Sequence, residues 1–70
     1  MITDKERHLL CQVQDKLPDL EITLAEKYNR DQAVTQHCLE FKNHKKKWVS
    51  LKIADDSTAE FLAKQIQVMM

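Results

Sequence analysis

The sequence predicts a small α+β domain of order α-β-β-β-α: a three-stranded antiparallel meander with two helices on one face. Three observations carry this reading. From His37 to Ile53, HCLEFKNHKKKWVSLKI alternates apolar and polar residues on both sides of a lysine-rich connection, which is the period of a strand. Segments before and after it place apolar residues at helical spacing behind capping-box signatures. Seventy residues make one domain, 1–70, with a modest core, because so short a chain buries only about 60% of its unfolded surface.

Thr3 with Glu6 three residues on has the form of a capping box, and Leu9, Leu10, Val13 and Leu17 follow on one stripe, so the first helix is expected from Asp4 to Lys16. His8 and Cys11 lie off that stripe and should be at least partly exposed. Pro18 ends the helix or opens the next element, since it has no amide hydrogen and disfavours helix in the residue before it.

Residues Asp19 to Arg30, DLEITLAEKYNR, support two readings. As a strand, Leu20, Ile22 and Leu24 share a face opposite Glu21 and Thr23, and Asn29 to Gln32 turn the chain into a strand from Ala33 to Phe41. As a helix, Pro18 takes the first position and Leu20, Leu24 and Tyr28 form a stripe, which Leu-Ala-Glu-Lys favours by propensity. The strand is adopted because Trp48 to Ile53 needs partners, and three alternating segments in series form a self-consistent meander. The helical alternative is a helix-turn-helix followed by a short strand and a helix.

A five-residue loop from Asn43 to Lys47 sets Phe41 opposite Val49 and Leu39 opposite Leu51. The chain has no glycine, so its turns must be longer and polar, as NRDQ and NHKKK are. The last helix is expected from Ser57 to Met69, with Ser57 and Glu60 as a capping box, Asp55 and Asp56 complementing its N-terminus, and Ala59, Leu62, Ala63, Ile66 and Met69 as its stripe. Phe61 and Val68 project from nearly the opposite side. Both helices should cover Leu20, Ile22, Leu24, Leu39, Phe41, Val49, Leu51 and Ile53, leaving Thr23, Gln36, Cys38, Glu40, Lys42, Trp48, Ser50 and Lys52 on the open face.

Eleven basic and eleven acidic residues cancel, so the overall field draws the chain toward neither nucleic acid nor membrane. The distribution is uneven. Residues 1 to 41 carry five basic and eight acidic side chains, residues 42 to 52 five lysines and no acid, and residues 53 to 70 one lysine and three acids. Lys42, Lys45, Lys46, Lys47 and Lys52 surround Trp48, a combination of charge and stacking surface suited to an unpaired base. A plainer explanation is that these lysines solubilise a hairpin tip and guard a sheet edge.

Trp48, Phe61 and Val68 are candidate interface residues, and a chain this small gains from a partner, so a homodimer or a protein partner is expected. Cys11, Cys38, His8, His37 and His44 match no zinc spacing. His37 and Cys38 are adjacent in a strand and point to opposite faces, so they cannot act directly as base and nucleophile. No catalytic, metal or cofactor site and no small-molecule substrate is expected. No apolar run approaches the roughly 20 residues of a membrane span, and the charged segment MITDKERH lacks a hydrophobic region, so a soluble, reduced, cytoplasmic chain is expected.

The α-β-β-β-α order and the length resemble a double-stranded-RNA-binding domain, a family with a lysine cluster at the start of its second helix. Here that start is Ala54, Asp55, Asp56, Ser57, which is acidic, so the resemblance implies the topology and no binding residue. Residues 17 to 41 are also similar to the LP…LAEKYGVS…TV…AL run of GntR-type winged-helix repressors, matching at Leu17, Pro18, Leu24 to Tyr28 and Leu39 and departing at Arg30, Val34 and Thr35. That resemblance implies a recognition helix beginning with Asp31, Gln32, Thr35 and Gln36. The expected function is therefore a non-enzymatic binding or regulatory module acting through a protein partner or self-association, with nucleic acid as a further ligand of the hairpin. The alternative is a helix-turn-helix DNA-binding regulator.

Overall fold

Residues 2–70 are described in a computed structural model, and they form α1 (Asp4–Lys16), β1 (Thr23–Asn29), β2 (Val34–Lys42), β3 (Trp48–Lys52) and α2 (Ala59–Met69). The sheet is antiparallel in the order β1-β2-β3. Phe41 pairs with Val49 and Leu39 with Leu51, the register the alternation requires.

The helical alternative fails over residues 23–42. Leu24-Ala25-Glu26-Lys27 is a good helix former, yet Leu24 pairs with Leu39 in a ladder running from Thr23↔Glu40 to Asn29↔Val34. Cross-strand burial outweighs a propensity worth tenths of a kcal/mol per residue. Asp31 and Gln32 lie in a turn, and Thr35 and Gln36 lie in β2, so there is no recognition helix.

The first helix has the expected bounds and both halves of its capping box: the Glu6 amide donates to Thr3 Oγ1 (3.2 Å), and the Thr3 amide donates to Glu6 Oε1 (2.9 Å). After it, residues 17–22 are a turn rather than the start of the strand. Gln14 holds that turn: its carboxamide donates to the carbonyls of Leu17 (2.9 Å) and Leu20 and accepts from the Ile22 amide (3.1 Å). One side chain thus makes three hydrogen bonds to the backbone of this turn, where the Leu17 carbonyl also accepts from the Leu20 amide (3.1 Å).

The absence of glycine is met by two residues in the left-handed region, Ala33 (φ 53°) and Lys46 (φ 60°). In the second hairpin the Lys46 amide donates to the Asn43 carbonyl (2.9 Å), while Asn43 Oδ1 accepts from the amides of Lys45 (2.9 Å) and Lys47 (3.1 Å). Asn29 Oδ1 caps the first turn similarly, accepting from the amides of Asp31 (3.0 Å) and Gln32 (3.3 Å).

The second helix begins two residues later than expected. Its N-cap is Thr58, whose hydroxyl accepts from the Phe61 amide (3.2 Å). Ser57 instead closes a turn with Ala54, its hydroxyl accepting from that amide (2.9 Å), so no Ser57–Glu60 box forms and Asp55 and Asp56 lie before the helix. Val13, Ile22, Leu39, Phe41, Leu62 and Ile66 make one core between the helices and the sheet. Met69 is 37% exposed, and Met70 packs on the core in its place. No helix among the described residues is long and apolar enough to cross a membrane.

Candidate functional site

The side of the sheet away from the helices has no layer over it, and pairing fixes what it presents. Lys27 stands across from Gln36, Cys38 lies between Ala25 and Lys52, Glu40 between Thr23 and Ser50, and Lys42 across from Trp48. The hairpin tip carrying Lys45, Lys46 and Lys47 extends beyond the Lys42–Trp48 pair, and these lysines are exposed.

The structure places Lys42, Trp48 and Lys52 on the open face and Lys45, Lys46 and Lys47 in the hairpin tip at its end. Lys42 and Lys52 share a face with Trp48, which is 61% exposed, and Lys42 Nζ lies 5.3 Å from the centre of the Trp48 ring. Sequence reasoning missed Lys27. Its ammonium pairs with Glu40 Oε2 (3.1 Å) and donates to Ser50 Oγ (2.9 Å), and Ser50 donates to the same carboxylate oxygen (3.2 Å). Lys27 follows Thr23 and Ala25 on the open side of β1, opposite Gln36.

Net neutrality conceals a layered charge distribution. The open face and hairpin tip hold six of the eleven cations, Lys27, Lys42, Lys45, Lys46, Lys47 and Lys52, against two carboxylates, Glu40 and, at the edge beside Trp48, Glu21. The remaining five cations and nine carboxylates lie elsewhere.

Cys38, expected to be open, is buried (5% exposed): it is a short side chain at the centre of the middle strand, with Lys52 beside it and Gln36 and Glu40 before and after it on the same face. A small cleft of about 130 Å³ beside Trp48 is lined by Leu20, Glu21, Lys42 and Trp48. A wider depression at the other end of the sheet involves Tyr28, a 63% exposed aromatic that only the helical alternative singled out.

The candidate interface residues do not form one surface. Phe61 and Val68 lie on α2, 55% and 83% exposed, on the helix layer, whereas Trp48 is on the opposite side of the sheet. Among the histidines, His8 and His44 are exposed, and His37 Nδ1 meets Glu6 Oε2 on the helix side, with Nε2 buried and without a partner. Burial pushes the Glu6 carboxyl up, but the Thr3 amide and hydroxyl, hydrogen bonding by His37 and its attraction together hold it below the usual carboxylate range. Among the described residues no three His, Cys, Asp or Glu side chains are placed to hold a metal ion. Comparison with models of known protein families, with curated proteins and with solved structures gives no match to this chain.

Proposed function

We propose that the chain is a non-enzymatic binding module that holds single-stranded nucleic acid across the open face of its sheet. One observation supports this above the others: a protein of zero net charge gathers six lysines and its only tryptophan on the open face and the adjoining hairpin tip, where the central carboxylate, Glu40, is already held by Lys27 and Ser50. Lysines supply sequence-independent attraction to phosphates, and a base stacked on an exposed aromatic adds about 1–3 kcal/mol. Rows on one face of a strand repeat every ~6.7 Å, so the four rows from Lys27 to Trp48 span about 20 Å, room for about six stacked nucleotides.

Charge also separates this reading from its rivals. Packing two open faces together opposes two strongly basic surfaces, so the sheet is a poor place for self-association. The acidic turn at Asp55 and Asp56 disfavours the duplex-binding mode that places lysines before the second helix. Self-association is the second reading, favoured by Phe61 and Val68 on α2, a face that leaves the open sheet free. Two free cysteines, Cys11 and Cys38, fit a reducing, cytoplasmic setting.

The test is a titration of a labelled single strand of roughly 12 nucleotides, read by anisotropy over a range of salt. Expected is log-log weakening of about −0.7 per neutralised phosphate, with a shallower slope when Lys45, Lys46 and Lys47 are replaced by alanine. Binding indifferent to salt and to that triple replacement would remove the open face from the function.

A further inference from the structure

We propose that the cleft beside Trp48 is a pocket for a single cytosine, with Glu21 as the acceptor of its exocyclic amino group; this rests on the nucleic-acid reading of the open face. The cleft measures about 130 Å³ and is walled by Leu20, Glu21, Lys42 and Trp48. That is the liquid volume of about four waters, room for one flat ring. The walls divide the chemistry: indole for stacking, Leu20 for apolar contact, an ammonium for the phosphate and a carboxylate for a hydrogen-bond donor.

Glu21 is the informative member. A carboxylate repels phosphate, so beside a lysine-rich face it suits a base edge rather than the backbone. Among the described residues Glu21 makes no hydrogen bond or ion pair, and its acceptor capacity is unspent. The backbone that carries it is held, because Gln14 bonds the carbonyl of Leu20 on one side and the amide of Ile22 (3.1 Å) on the other. A carboxylate accepts from the cytosine N4 amino group, whereas the same edge of thymine or uracil presents the O4 acceptor and is rejected. The small volume favours the single-ring base over guanine or adenine.

Oligo-dC and oligo-dT of equal length carry equal charge, so their comparison isolates the pocket from the basic face. At neutral pH and one salt concentration, dC should bind about tenfold more tightly than dT, the discrimination of one good base contact. Glu21→Gln should bring the two within about twofold, because its amide presents both a donor and an acceptor, with the salt slope and the circular-dichroism spectrum unchanged. Equal binding of dC and dT by the unaltered chain, with a normal salt slope, overturns the pocket and leaves the open-face reading standing. Binding of neither overturns both. A dC preference that survives Glu21→Gln overturns the role of Glu21.

Discussion

Lys42 and Trp48 face each other across the β2–β3 register, with the Lys42 ammonium 5.3 Å from the centre of the indole ring. The pair joins the two ingredients of single-strand binding, a phosphate contact and a stacking surface, on one row of the sheet. Lys42→Ala should weaken oligonucleotide binding about equally for all sequences and make the salt slope shallower by roughly 0.7. A change in base preference without a change in slope would mean that Lys42 contacts bases instead.

The hairpin tip holds a lysine where glycine is the usual residue. Lys46 at φ 60° carries the cost of a side chain in the left-handed region, which glycine avoids. Lys46→Gly should raise stability by about 0.5–1 kcal/mol in urea unfolding. A loss of stability would mean that the side chain makes a contact worth more than the strain.

Gln14 is the least conspicuous structural residue. Its three hydrogen bonds hold the 17–22 turn against α1, so Gln14→Ala should cost about 2 kcal/mol, while Gln12→Ala, at an exposed position of the same helix, should cost under about 0.5. Equal effects at the two positions would show that helix propensity alone is being measured.

Glu6 ties the first turn of α1 to His37 on β2 and makes stability depend on acid. Burial raises its pKa, but the hydrogen bonds from Thr3 and His37 and the attraction of His37 leave it lowered in the folded chain. A depressed carboxyl contributes stability that is complete above its unfolded pKa, about 4.3, and is lost as pH falls through the folded value. The stability difference between the unaltered chain and Glu6→Gln should therefore shrink as pH drops below about 4.3. A difference that grows on acidification would reverse the sign of the linkage.

On the other side of the molecule, Phe61 and Val68 are, with Met69, the apolar residues of α2 that the core leaves out. Phe61→Glu should shift sedimentation from dimer to monomer while leaving oligonucleotide affinity per chain within about twofold, since α2 and the open face lie on opposite sides of the sheet. An unchanged sedimentation coefficient would exclude this helix face as a self-contact.

The fold was legible where one physical signal dominated. Thr3, Glu6 and the Leu9–Val13 stripe set α1 to the residue, and the alternation around Phe41 and Val49 set the register of the second hairpin. From Asp19 to Arg30 local propensity and tertiary pairing pull in opposite directions, and only the partner strand decides between them. The start of α2 slipped because Ser57 and Thr58 are both competent caps, and Ser57 is used by Ala54. In the candidate site, Lys42, Lys45 to Lys47, Trp48 and Lys52 were visible as a cluster in sequence. The pairing of Lys27 with Glu40, the place of Glu21 beside Trp48 and the burial of Cys38 were not, because each depends on which residue stands near it on another element.

The most direct measurement uses the fact that Trp48 is the only tryptophan in the chain, so its fluorescence reports from the face in question alone. Titration with a single-stranded oligonucleotide at low salt should quench that emission saturably, and added salt should restore it as the strand dissociates. A strand that binds, by anisotropy, without altering Trp48 emission would contradict the open face as the site. So would quenching that persists unchanged at high salt.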